Sequence, residues 1–267
     1  MTVARVFPRK TSHSPDDDMA FFGLPPFWAK ADEVHISVTF DYDIPKAEKL
    51  LYPQWKHIAP TKIGGVAYHS IPDEFTPGLY LKKGITITSR GCPNRCKFCS
   101  AWKESRFKEL EIKDGHVIQD NNLLACSDDH IKKVFAMLAR QKTRPVFSGG
   151  LEAARLKQWH VNEFVKLKPS QMFFAYDEPL DYEPLVQASK MLHGAGFNRN
   201  QMRCYVLIGF DDQDTIQCAE NRLMQALALG FFPLAMLYKK DGKPKQWKDL
   251  QRKWARPAII SSIKVAA

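Results

Sequence analysis

From Gly84 onward, short apolar runs alternate with stretches of helical period. The runs are Ile85 to Thr88, His116 to Gln119, Pro145 to Ser148, Gln171 to Ala175, Met202 to Ile208 and Phe231 to Leu237. Between the second and third, Ile131, Val134, Phe135 and Leu138 form one apolar stripe, with Ser127 as its cap and Asp128 and Asp129 at the positive end of the helix dipole. A helix from Thr215 to Leu229 is expected to start at Asp214 and stop at Gly230. Pro184 suits the first turn of another helix and Gly194 its end. Repeated βα units imply a parallel sheet with right-handed crossovers. Six strands fall short of the eight that close a TIM barrel. The expected fold is therefore α/β, a partial (βα)6 TIM-like barrel with its active site at the carboxyl ends of the strands.

Ahead of this repeat, Val34, Ile36, Val38 and Phe40 alternate as in a strand. Ala47, Leu50, Leu51 and Trp55 mark a helix from Pro45 to His57, and Lys62 to Ala67 reads as a second strand, so a small βαβ unit is expected. Residues 1–32 read as an irregular arm that packs Phe21, Phe22, Phe27 and Trp28 on the body. Residues 70 to 83, with Pro72, Pro77 and Gly78, read as a linker. The expected domains are 1–32, an arm; 33–83, the βαβ unit and linker; 84–238, the partial barrel; and 239–267, a basic helical segment.

Chemistry concentrates in Gly91-Cys92-Pro93-Asn94-Arg95-Cys96-Lys97-Phe98-Cys99, directly after the first run of the repeat. Three thiolates spaced Cys-x3-Cys-x2-Cys can hold three irons of a cubane cluster and leave the fourth open to another ligand. The loop resembles the signature of the radical S-adenosylmethionine superfamily, including the aromatic Phe98 before the last cysteine. The resemblance implies a [4Fe-4S] cluster on Cys92, Cys96 and Cys99, with S-adenosylmethionine chelating the unique iron. It implies one-electron cleavage of the sulfonium to a 5′-deoxyadenosyl radical that abstracts a substrate hydrogen. It also implies Phe98 near the adenine and an electron donor such as flavodoxin or ferredoxin.

Phe147-Ser148-Gly149-Gly150-Leu151-Glu152 ends the third run and resembles the family's glycine-rich element for the methionine amino group. Leu151 interrupts that element, so backbone contact at Gly149 and Gly150 is expected first, and Glu152 after it. At the other strand ends, Asp177 or Glu178 is expected at the ribose, Asp120 and Asn121 at the substrate, and Ile208, within Val206-Leu207-Ile208-Gly209-Phe210, beside the adenine. The segment Glu33 to Ala67 is similar to part of the cobalamin-binding domain preceding some of these barrels. It lacks the Asp-x-His-x-x-Gly signature, so cobalamin is not expected.

Composition adjusts this picture in two respects. No apolar run approaches the roughly 20 residues of a membrane span, and Met1 to Lys10 is not followed by the apolar stretch of a secretory signal. A cytoplasmic location without membrane association is the default expectation. The net charge is +10, and Lys239 to Arg256 holds eight Lys or Arg against two Asp. A nucleic-acid or phosphorylated substrate is thereby favoured. The rival reading is a non-catalytic, zinc-containing nucleic-acid-binding protein. Cys126, Cys204 and Cys218 are read as small hydrophobes, and Trp247, Leu250 and Trp254 as a docked helix face.

Overall fold

The computed structural model describes residues 1–70, 74–211, 213–239 and 242–263. Pro72 of the expected linker and Lys240 and Asp241 of the basic segment lie outside the described residues. The chain divides into two compact units, Met1–Thr86 with Lys113–Gly115, and Ile87–Ile112 with His116–Ala267.

The first unit is built on a parallel sheet of β1 (Val3–Phe7), β2 (Ala20–Phe22), β3 (Glu33–Ser37) and β4 (Thr61–Gly64), in the order β2-β1-β3-β4. The expected parallel pairing of β3 and β4 is present. The irregular arm is corrected, because residues 1–32 supply β1, a central strand, and β2. Arg5 conceals β1 in the sequence. Its side chain is buried, donates to the carbonyls of Gly78 and Leu79 at 2.9 Å each, and pairs with Asp17. Ala4, Val6, Val34, Ile36, Val38, Leu51 and Trp55 form the core. Phe21 joins them, partly exposed Trp28 sets its ring 5.7 Å from that of Phe21, and Phe22 stacks on Phe7 at 5.8 Å, whereas Phe27, also expected to pack, is fully exposed.

The expected helix breaks into α1 (Ile44–Lys46), a π turn over Ala47–Leu51, and α2 (Tyr52–Trp55). Pro53 has no N–H for the carbonyl four residues back, and its ring crowds that position, which a widened turn accommodates. Ala47, Leu51 and Trp55 face the core, while Leu50 is exposed. The first run of the repeat forms only the two-residue strand β5 (Ile85–Thr86), on this unit's side of the division.

The second unit opens with an antiparallel ribbon that the apolar pattern did not announce, β6 (Ser89–Arg90) paired with β7 (Lys108–Glu109). The other expected runs form β8 (Val117–Ile118), β9 (Val146–Leu151), β10 (Gln171–Ala175), β11 (Met202–Ile208) and β12 (Phe232–Leu237), all parallel, in the order β12-β11-β10-β9-β8. The α/β class with parallel sheets is observed, and no sheet closes among the described residues.

After the short α3 (Ala101–Glu104), the helices are α4 (Asp128–Ala139), α5 (Gln158–Leu167), α6 (Tyr182–Gly194), α7 (Ile216–Ala228), α8 (Lys245–Lys253) and α9 (Pro257–Ser262). Ser127 caps α4 as expected, accepting the N–H of His130. Asp214 does not cap α7. Thr215 accepts the Cys218 N–H, and Asp214 pairs with Arg222. Trp247, Leu250, Trp254 and Ile260 are buried in the same core as the sheet, so the C-terminal helices belong to this unit. No helix among the described residues is long and apolar enough to cross a membrane.

On α5, His160 is buried against the rings of Phe135 and Trp159. Its Nδ1 accepts the Lys157 N–H at 2.9 Å, and burial pushes its pKa down to about 4. The unfolded chain therefore binds this proton first, near pH 6.5. Stability is lost as pH falls from there through about 4, by about 3 kcal/mol from this residue. Urea titrations at pH 7 and pH 4.5 should show a smaller pH-dependent loss in His160→Gln than in the wild type. An equal loss would rule this account out.

Candidate functional site

The β6–β7 ribbon brackets residues 91–107, which include the cysteine loop. Gly91 opens it at φ +72°, and a Cβ there would lie 2.4 Å from the Ser105 carbonyl oxygen, so only glycine fits. The Gly91 N–H donates to Asn121 Oδ1 at 3.0 Å. Within the loop, the Cys99 N–H donates to the Cys96 carbonyl at 3.2 Å, and the Trp102 indole N–H donates to the same oxygen at 3.0 Å.

All three cysteines are half-buried. Burial, then the fields of Cys99 and Cys92, and then those of Glu178 and Asp177, push the Cys96 thiol up to about 11. Burial raises Cys99 as well, with Cys92, Glu104 and Asp177 adding to it. The thiols thus share one neighbourhood with the end of β10. Among the described residues, no three His, Cys, Asp or Glu side chains gather as the ligands of a single metal ion would. Thiolates that bind different irons of a cluster stand further apart than ligands of one ion.

Of the two residues expected to meet substrate, Asn121 is exposed and accepts the loop's Gly91 N–H, and Asp120 turns inward beneath the residues that lead into the loop. Asp120 is fully buried, and its carboxylate accepts from the Thr88 N–H and Oγ1 at 2.6 Å each and from Ser89 Oγ at 2.8 Å. Burial raises its pKa, and those donors oppose the shift. Sequence reasoning passed over Asn122. Its amide Nδ2 donates to Cys92 Sγ at 3.6 Å and to Glu152 Oε2 at 2.6 Å, and its Oδ1 is buried without a partner. The same Glu152 oxygen accepts from Arg155 Nε at 2.6 Å. The only signal was a third polar residue in the run after β8.

The glycine pair lies in a bulge. Met172 pairs with Phe147 and Phe174 with Leu151, so three residues of β9 stand against one of β10. Bulges of this kind re-aim a strand's end. The two glycines differ in what requires them. A Cβ on Gly149 would lie 2.0 Å from the Asp120 carbonyl oxygen, so Gly149 serves the approach of β8 to β9. Gly150 has φ +115°, and no atom lies within 4 Å of the place a Cβ would take, so its backbone is open to a ligand.

Asp177 accepts the Leu207 N–H at 2.9 Å, and burial raises its pKa to about 7. Its own N–H and that of Glu178 donate to Asp181 Oδ2 at 2.9 Å each. Ile208 is fully buried in the core. The neighbouring Phe210 meets Phe98 edge-on at 5.5 Å between ring centroids, which links the cysteine loop to the end of β11. That end is tied down by Asp214, which accepts the Gly209 N–H at 2.9 Å and pairs with Arg222. Arg222 in turn donates to the Leu207 carbonyl at 2.8 Å.

The second unit therefore joins Cys92 to Glu152 through Asn122, Phe98 to Phe210, and the thiols to Asp177. Cys126 and Cys204 are buried in the core and Cys218 is exposed on α7. No protein-family model matches the chain, and no curated protein matches it.

Proposed function

We propose that this protein is a radical S-adenosylmethionine enzyme built on an open (βα)6 barrel-like sheet. The observation that carries the reading is the grouping of Cys92, Cys96 and Cys99 at the carboxyl ends of parallel strands, next to Asp177 and, through Asn122, Glu152. The residues suit a [4Fe-4S] cluster and its S-adenosylmethionine ligand. Three soft donors are half-buried in a loop whose backbone is held by Asn121, and the open backbone at Gly150 lies two residues from Glu152. When bound, the pair would supply one-electron cleavage of the sulfonium and removal of a hydrogen atom from substrate.

The chain's own residues bind and orient. Cys92, Cys96 and Cys99 hold the metal. Asn122 points an N–H at the Cys92 sulfur, a contact of the kind that tunes cluster potential. Glu152, already shared between Asn122 and Arg155, offers a carboxylate for the amino group of S-adenosylmethionine. Asp177, held by the Leu207 N–H, would accept from a ribose hydroxyl. Phe98, braced edge-on by Phe210, offers a ring face beside the adenine. A flavodoxin- or ferredoxin-type protein would deliver the electron, and cobalamin has no part in this reading.

Anaerobically reconstituted protein tests it. Brown protein with about four irons per chain, releasing 5′-deoxyadenosine when given S-adenosylmethionine and dithionite, is the expected result. Colourless protein with one tightly held zinc overturns it in favour of a zinc-binding module.

A further inference from the structure

The two units do not share the chain's charge. The first holds eleven Lys or Arg and eleven Asp or Glu, so the whole excess of +10 belongs to the second. Within the second unit, much of the charge on α8 is already met. Asp249 accepts from Lys245 and Arg252, and Glu220 pairs with Lys253. Uncompensated charge gathers instead where the chain enters β9, β10, β11 and β12. Residues 140–145, 168–170, 195–201 and 229–231 make these entries. They carry Arg140, Lys142, Arg144, Lys168 and Arg199 and not one Asp or Glu. Arg140, Lys142, Arg144 and Lys168 are exposed and Arg199 is half-buried, and none of the five pairs with a carboxylate among the described residues. The helices α4, α5, α6 and α7 end at this edge, and each C-terminus contributes about −0.5 charge. Together that is about −2 against five cations, so capping of the helix dipoles leaves most of the charge unspent.

Arg144 sits between two hollows. It lines a cleft of about 750 Å³ between α4 and α5 and a smaller one of about 380 Å³ beside Lys168 and Gln201. Its Nε and Nη2 donate to the carbonyls of Lys168 and Pro169 at 2.7 and 3.2 Å. Those partners are neutral and leave its charge and its other N–H groups to a ligand. The carboxylates lining the larger cleft are taken, Glu163 by Lys166 at 2.6 Å and Asp128 by Lys157 at 2.8 Å.

We propose that this amino-terminal edge of the second sheet is a docking surface for nucleic acid, gripped through its phosphodiester backbone. The entries to β9, β10 and β11 lie side by side, so their cations form a row about 10 Å across. A backbone presents its charges in such a line. Val165 is the only large apolar side chain exposed at this edge among the described residues, which leaves a lipid layer or an apolar protein face little to bury. Of the rings lining the larger cleft, Phe135 is buried, and half-buried Trp159 has Lys132 Nζ 5.8 Å from its centre. Bases find no free face there, so the grip is on phosphates and indifferent to sequence. The edge lies about 20 Å, the length of β11, from the carboxyl ends of the strands. The proposal therefore does not rest on the cluster reading.

Fluorescence anisotropy with a labelled DNA duplex and a labelled RNA hairpin, over a salt series and with the full reconstituted chain, tests it. At least one polymer should bind with a Kd of about 10⁻⁶ M near 0.1 M salt and a log–log salt slope of about −4, and the tighter of the two is the partner. The Arg140→Gln, Lys142→Gln, Lys168→Asn triple variant should weaken binding more than about 30-fold, and Lys142→Gln alone should reduce the slope by about one. These side chains are exposed, and an unchanged melting temperature confirms the fold. The control Lys245→Gln, Lys248→Gln, Arg252→Gln removes the same charge from α8 and should weaken binding less than about threefold. Cys96→Ala protein should bind as the wild type does, which separates failure here from failure of the cluster reading. Equal losses in the two triple variants overturn the proposal, since net charge alone would then attract the polymer. Loss of binding in Cys96→Ala overturns it by moving the site to the cysteine loop. Competition by polyglutamate or by phosphatidylserine vesicles as strong as that of unlabelled nucleic acid, at equal charge, overturns it in favour of an acidic protein or a lipid surface.

Discussion

Cys96→Ala, purified and reconstituted without oxygen, is expected to fall from about four irons per chain to near none, and its cleavage of S-adenosylmethionine should fall to background. The effect is total because the ligands are not interchangeable. Each thiolate of such a site holds a different iron. Of the other thiols, Cys126, against Ser89, and Cys204 are buried in the core, and Cys218 is exposed on α7. The loop itself should survive the change. Both hydrogen bonds that shape it at this position, from the Trp102 indole and the Cys99 N–H, end on the Cys96 backbone carbonyl. Iron analysis with electron paramagnetic resonance on Cys96→Ala, and on Cys218→Ala as a control, decides the matter. Iron and turnover retained in Cys96→Ala would show that the ligands are misassigned, while loss in Cys218→Ala would show that iron binding is not confined to this loop.

The second large effect separates two adjacent glycines. Gly149→Ala should destabilise the protein by about 3 kcal/mol or more, because its methyl would be driven to 2.0 Å from the Asp120 carbonyl oxygen, a backbone atom that can move only with β8. Gly150→Ala meets no atom and should cost about 1–3 kcal/mol, the strain of a side chain at φ +115°. Its effect should fall on ligand affinity instead. Urea denaturation of the cluster-free proteins ranks the stabilities, and calorimetry with S-adenosylmethionine on reconstituted protein ranks the affinities. If Gly150→Ala binds S-adenosylmethionine as the wild type does, the open backbone has no part in holding it.

Local patterns exposed much of this in the sequence. The apolar runs located every parallel strand of the second unit, since a buried parallel strand is a short continuous apolar stretch. The cysteine loop was legible because its spacing is covalent information. What stayed hidden depended on partners distant in sequence. β1 was masked by Arg5, whose charge is satisfied by Asp17 and by carbonyls more than seventy residues away. The ribbon of β6 and β7 consists of two-residue strands, too short for a period to register. Asp120 and Asn121 were both assigned to substrate, yet Asp120 turns inward to Thr88 and Ser89, while exposed Asn121 accepts the N–H of Gly91. Polar residues at a strand end carry no mark of which way they face. Gly149 and Gly150 look alike in sequence and differ only in what the fold brings beside them.

Asn122 has a consequence for how this site could change over time. Its single amide group serves both Cys92 and Glu152, and it stands in neither motif. Substitutions at those two positions will not add independently, because each alters what Asn122 leaves behind for the other. A recombination joint between residues 99 and 122 that brought in a foreign cysteine loop would have to respect an amide it did not carry. The three segments are thus expected to be inherited together, as one block of sequence in practice although the chain spells them as three.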